Sequence, residues 1–188
     1  MGYKYDRQEI LDAAVEAVLS EGASQLTFGR LAKRLGLPDR SIVYYFPTKT
    51  DLLTQTVGEV GRRMQVLLAE AFGREARPSE ELARRAWMVL ATEEADPVLS
   101  VFLEIVGLGV CGVEPFDELA PATIASWAEW LTPLVAATSP EQAHDAALAT
   151  MEMVSLSAGG LGSDVVEAAF TEVDSVVATV SRALAAAA

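Results

Sequence analysis

The residues best suited to chemistry crowd into one stretch between positions 27 and 49. Thr27, Arg30, Lys33, Arg34, Arg40, Ser41, Tyr44, Tyr45 and Lys49 supply hydroxyl, guanidinium and ammonium donors, with Asp39 the single acid among them. Such donors grip phosphate oxygens and read base edges. No candidate site elsewhere in the chain is better founded. Gly107-Leu-Gly109-Val-Cys-Gly112 has the spacing of a dinucleotide-binding loop, but that loop needs a helix starting at its glycines and aimed at a pyrophosphate. Pro115 and Phe116 interrupt such a helix within a turn, so a glycine hinge between packed helices is the better account. His144 is the only histidine, and its neighbour Asp145 points elsewhere on a helix, so neither a zinc site nor a Ser-His-Asp triad has nominated partners. No catalytic residue, metal site or cofactor is expected. Glu104 stands inside an apolar run, where an unpaired carboxylate is costly; a ligand, an exposed helix position or an Arg partner would each account for it. With Glu104, the side chains Trp87, Met88, Phe102, Trp127, Trp130 and Met151 are candidates for lining an apolar small-molecule pocket. Core filling is the alternative for each of them.

Two short helices must hold the first cluster. Thr27 suits the N-cap of one, because its hydroxyl accepts from an otherwise unpaired first-turn amide. Phe28, Leu31, Ala32 and Leu35 recur at helical spacing, and Gly36 ends the helix in the left-handed conformation that glycine takes without a Cβ clash. Pro38 suits the first turn of the next helix. Ile42, Val43 and Phe46 are expected to anchor it, leaving Arg40, Ser41, Tyr44 and Tyr45 outward. Two helices joined by so short a turn outline a helix-turn-helix, whose second member enters the DNA major groove.

Charge supports that partner once its distribution is considered. The 188 residues carry a net charge of −13. Residues 1–50 nevertheless hold seven basic and six acidic residues, and residues 51–188 hold seven basic and 21 acidic. From Gly22 to Thr50 the balance is five basic to one acidic, and no lysine follows Lys49. A basic N-terminal face and an acidic remainder would present one end of the molecule to a duplex. Chance clustering on a solvated helix is the competing account.

The rest of the chain is expected to be helical. Asp6 and Glu9 form a capping pair before a first helix with Ile10, Leu11, Ala14, Val15, Val18 and Leu19 on its apolar stripe. Thr48 caps a long helix to about Phe72, with Leu52, Leu53, Val57, Val60, Met64, Leu67 and Leu68 facing a core. Further helices are predicted from Ser79 to about Ala95, through the buried run Val98–Val113, over Asp117–Thr138, from Pro140 to Ala158, and from Ser163 or Asp164 to about Ala185. The last two are rich in small residues and would form a four-helix dimer interface with a second copy, intrachain packing being the alternative. Cys111 is the only cysteine, which excludes an internal disulfide and suits a cytoplasmic protein. Uncharged runs reach only about eleven residues, far short of the roughly 20 that span a bilayer, and the N-terminus lacks the apolar core of a signal peptide.

The stretch Leu26-Thr27-Phe28, Leu31-Ala32, Leu35-Gly36-Leu37, Ile42, Tyr45-Phe46-Pro47-Thr48-Lys49 and Leu52-Leu53 resembles the TetR-type (tetracycline-repressor-like) transcriptional regulators. The resemblance covers residues 7 to 53, and length and helix count agree beyond it. It implies an all-α homodimer of about nine helices, with a DNA-binding unit at 1–48 (motif about 27–46) and a ligand-binding and dimerisation domain at 49–188. It implies phosphate contacts from Thr27 and Lys49, with Arg30, Pro38, Asp39, Arg40, Ser41, Tyr44 and Tyr45 on or near the DNA face. Val43 stands where the family usually carries a phosphate-binding tyrosine, so that contact is absent or passes to Tyr44. Pro38 replaces the usual polar cap of the recognition helix, and Asp39 beside it could accept from a cytosine amino group. The expected protein is a cytoplasmic DNA-binding repressor, released from a palindromic double-stranded operator by a small apolar effector and dimeric through its last two helices. The alternative is a helical small-molecule-binding or sequestering protein with no DNA function.

Overall fold

The computed structural model describes residues 5–158, the side chains of 152–158 excepted. Among them it is all-α: α1 Arg7–Glu21, α2 Phe28–Leu35, α3 Asp39–Tyr45, α4 Lys49–Phe72, α5 Ser79–Leu90, α6 Asp96–Val110, α7 Phe116–Leu131 and α8 Pro140–Ala158. The ninth predicted helix, and with it half of the expected dimer interface, lies outside the described residues. The only β pairing among those described is an isolated bridge between Arg77 and Val135.

The helix starts follow from capping chemistry. Asp6 and Glu9 form the full capping box of α1, each side chain accepting from the other's backbone amide. Thr48 and Asp51 do the same for α4. Gly36 closes α2 at φ +65°, where a Cβ would be strained, and its N–H reaches back to the carbonyls of Ala32 and Lys33.

Contacts divide the described chain into two compact units, one of residues 5–73 and 89–127 and one of residues 74–88 and 128–158. In the first, Ile10, Ala14 and Val18 of α1, Leu31 and Ala32 of α2, Ile42 and Phe46, and Leu52, Leu53 and Val57 of α4 form one core. Val101 and Ile105 of α6 and Phe116, Leu119 and Ala120 of α7 complete it. The three N-terminal helices therefore do not bury their apolar faces alone. Arg7 lies 5.3 Å above the Phe46 ring and donates to Gln55, fastening the start of α1 to α4. In the second unit, the backbone of Arg77 exchanges hydrogen bonds with Leu134 and Ala136 at 2.9 and 2.7 Å, and Leu82, Ala83, Ala128, Ala143 and Ala147 are buried.

Several expected boundaries and orientations differ. The fifth helix stops at Leu90 rather than near Ala95, because Asp96 and Pro97 open the next helix instead of separating two others. Proline at the first turn loses no hydrogen bond. That next helix is half-buried, with only Val101 and Ile105 fully inside. The seventh ends at Leu131 and continues as a single 3-10 turn over Thr132–Leu134. Leu67, expected in the core, is 54% exposed. The glycines at 107 and 109 lie inside α6 rather than at a hinge. At Gly109 a Cβ would come within 2.6 Å of the Ala120 Cβ and 2.7 Å of the Phe116 carbonyl oxygen, so glycine is needed there for helix-to-helix contact.

Candidate nucleic-acid interface

The sequence around α3 separates into two faces of paired residues four apart. Ser41, Ile42, Tyr45 and Phe46 turn inward: Ser41 is buried, Ile42 and Phe46 are fully so, and Tyr45 packs partly against the core. Asp39, Arg40, Val43 and Tyr44 turn outward, with Tyr44 67% and Val43 41% exposed. The expected outward Ser41 and core-facing Val43 are thus exchanged. Once Ile42 and Phe46 fill the core, the helical period carries 41 and 45 in beside them and 39, 40, 43 and 44 out. Val43 is the exposed residue that sequence reasoning missed; its i,i+4 relation to Asp39 was the available signal. The Tyr44 and Tyr45 rings meet edge to face at 5.0 Å and 88°, so a half-buried ring braces an exposed one.

The other expected DNA contacts lie at helix starts. Thr27 is half-buried as the N-cap of α2, and its hydroxyl oxygen accepts from the Arg30 N–H at 3.2 Å. That hydroxyl's own hydrogen is still available to a phosphate. Pro38 caps α3 with no side-chain hydrogen bond. Asp39 brings a carboxylate oxygen within 3.5 Å of where a Cβ on Gly29 would stand, close to the start of α2. Lys49 is the exposed first residue of α4. A cation at a helix N-terminus opposes the macrodipole and so slightly disfavours the helix, but the two positive charges add in attracting an anion.

The basic residues are not equally free. Arg34 pairs with Glu21 at 3.1 Å; Arg30 lies 3.9 Å from the same carboxylate and donates to Gln25 at 2.7 Å. Lys33, Arg40 and Lys49 are exposed and make no ion pair among the described residues. Another acid–base cluster joins α4 and α1. There Glu59 accepts from Arg62 and Arg63, while Arg63 also pairs with Asp12. The Arg62 hydrogen bond, reinforced by Arg63 and opposed by burial, holds the Glu59 carboxyl at about 2.

The seven candidates for a small-molecule pocket fall in both units. Phe102, Glu104 and Trp127 belong to the first, and Trp87, Met88, Trp130 and Met151 to the second. Met88 is 79% exposed, and Trp87, Phe102, Trp127, Trp130 and Met151 are half-buried. Glu104 resolves the puzzle of an acid in an apolar run: its carboxylate accepts the backbone N–H groups of Ala23 and Ser24 at 2.7 and 3.0 Å. His144 is exposed on α8. No group of three His, Cys, Asp or Glu side chains is placed to hold a metal ion among the described residues, and no helix there is long and apolar enough to cross a membrane.

Residues 10–56 match the family model described as bacterial regulatory proteins, tetR family, a stretch that contains the motif residues on which the sequence resemblance rests. No curated protein matches the chain. Among solved structures, one described as a TetR-family transcriptional regulator from Rhodococcus sp. superposes with a TM-score of 0.69 at 16% identity, covering 91% of this chain and 97% of that one. A transcriptional regulator from Streptomyces coelicolor A3(2) gives 0.62 at 20% identity, covering 88% and 96%. A TetR transcriptional regulator from Legionella pneumophila gives 0.61 at 16%, covering 94% and 99%.

Proposed function

We propose that this chain, which carries the tetR-family helix-turn-helix at residues 10–56 and the fold of TetR-type regulators, is a sequence-specific DNA-binding repressor rather than an enzyme. The observation that carries the reading is the outward face of α3, where Asp39, Arg40, Val43 and Tyr44 are all exposed, with the exposed and unpaired Lys49 five residues further along the chain. A guanidinium is suited to guanine O6 and N7, a carboxylate to the cytosine amino group and an isopropyl group to a thymine methyl. Thr27 and Lys49, at the starts of α2 and α4, would hold the phosphates that set the register of that face. Residues 1–48 carry recognition in this proposal, and residues 49–188 carry effector binding and dimerisation. Two copies would place their recognition helices in successive major grooves of a palindromic operator, about 34–36 Å apart. A small apolar effector would release the DNA by preferring a conformer with the wrong spacing, and only to the extent of its differential affinity for the two states. A cytoplasmic location follows from a chromosomal operator.

Fluorescence anisotropy on the promoter fragment nearest the chain's own gene tests the reading. Binding should exceed that of unrelated DNA, and affinity should fall steeply with salt. Lys49→Ala should lower the slope of log affinity against log salt by about 0.9, one phosphate's share. A wild-type protein that binds no promoter fragment better than competitor DNA refutes the proposal. It would favour the alternative, a helical small-molecule-binding protein, whose ligand affinity DNA would leave unchanged.

A further inference from the structure

We infer that Glu104 is a positioning residue for DNA recognition: from α6 its carboxylate grips the turn between α1 and α2 and so fixes the pose of the helix-turn-helix. The inference rests on the DNA-binding reading above. The turn is a single 3-10 turn over Ala23–Gln25, and it is the only covalent path from α1 into α2. Its first two amides, Ala23 and Ser24, have no backbone acceptor and donate instead to the two oxygens of one carboxylate at 2.7 and 3.0 Å, across some 80 residues of sequence. A carboxylate at paired backbone N–H groups makes charge-assisted bonds, stronger than neutral ones and directional at both oxygens. The preceding residue, Gly22, is shaped around the same group. It sits at φ +93°, and a Cβ there would come within 2.9 Å of one Glu104 oxygen. The α6 side of the contact is equally fixed. Val101, Ile105 and Leu108 share a helical stripe with Glu104 and pack into the N-terminal core. The close approach of Gly109 to the Phe116 carbonyl holds the end of α6 against α7.

Specific and non-specific DNA binding respond differently to such a grip. Base-edge contacts require the recognition helix at one angle and depth, whereas phosphate attraction depends mainly on net basic charge. Loosening the turn therefore lowers the preference for operator over random sequence while leaving charge-driven affinity in place.

The test compares full-length wild type, Glu104→Gln and Glu104→Ala on the best-binding promoter fragment and on unrelated DNA across a salt series. Glutamine keeps the reach and one acceptor oxygen but turns an amide nitrogen toward a backbone N–H, so it should fall between the other two. Alanine should lose about tenfold in operator affinity, the size of a modest coupling between sites. Affinity for unrelated DNA should not fall in either variant, and the loss of one acid raises it slightly if at all, while the salt slope and the far-ultraviolet helix signal should be unchanged. Hydrogen exchange at the Ala23 and Ser24 amides should be slow in the wild type and faster in both variants. Unchanged preference for operator in both variants overturns the inference, as does parallel loss of operator binding, unrelated-DNA binding and helicity, which marks a purely structural role. Fast exchange at both amides in the wild type overturns it too. A wild type without operator preference removes the DNA-binding reading itself, a distinct result.

Discussion

Two glycine-to-alanine changes two residues apart in α6 should move stability in opposite directions. Alanine is favoured over glycine in a helix interior by about 1 kcal/mol, so propensity alone predicts stabilisation at both positions. Around Gly107 nothing would lie within 4 Å of an added methyl group apart from its own helix, and Gly107→Ala should collect most of that gain. At Gly109 the same Cβ would stand 2.6 Å from the Ala120 Cβ and 2.7 Å from the Phe116 carbonyl oxygen. Carbon atoms at rest sit about 3.5–4.0 Å apart, so the intrusion is about 1 Å against two neighbours that cannot swing aside as a long side chain could. Overpacking of this kind costs about 1–3 kcal/mol, which outweighs the propensity gain. The expected result is Gly107→Ala more stable by up to about 1 kcal/mol and Gly109→Ala less stable by about 1–2 kcal/mol. In a chain of this size that separates the two melting temperatures by several degrees, about 2–4 °C for each kcal/mol. Urea unfolding followed by circular dichroism, at one fixed protein concentration so that any subunit association contributes equally to both variants, measures the difference. Equal shifts, or stabilisation by Gly109→Ala, would refute the claim that α6 and α7 touch through that glycine.

Neighbouring residues on α3 should also part company. Ile42→Ala, at a fully buried position, should cost about 2–5 kcal/mol, whereas Val43→Ala at its exposed neighbour should cost about 0.5 kcal/mol or less while weakening operator binding; chemical denaturation and anisotropy on the same samples read both effects. Acid stability should depend on Glu59. Its carboxyl is held at about 2 when folded, below its ordinary 4.5, so its contribution is complete above about pH 5 and drains away as pH falls toward 2. Screening at the exposed Arg62 limits that contribution to about 1 kcal/mol, and Glu59→Gln should flatten this part of the stability–pH curve.

The sequence by itself determined what is settled within a turn or two of backbone. Asp6 with Glu9 announced its capping pair, Thr48 its cap, Gly36 its left-handed stop, and Leu31 and Ala32 their buried stripe, because capping and periodicity act between residues at most four apart. The concentration of cations between Gly22 and Thr50 needed no coordinates either, since charge composition is additive. The phase of α3 was beyond that reach. A seven-residue helix has too few turns to define its own apolar stripe, so whether Ser41 or Val43 turned inward waited on where Ile42 and Phe46 met the core. The same holds for Leu67, one residue off the buried line of a long helix. Glu104 and Gly109 lay furthest from legibility. The acid in an apolar run was visible as an anomaly, but its partners are two amides some 80 residues away, and the glycine's partner is a carbonyl on the next helix. Contacts of that kind are chosen by how helices stack, and only the tertiary structure decides them.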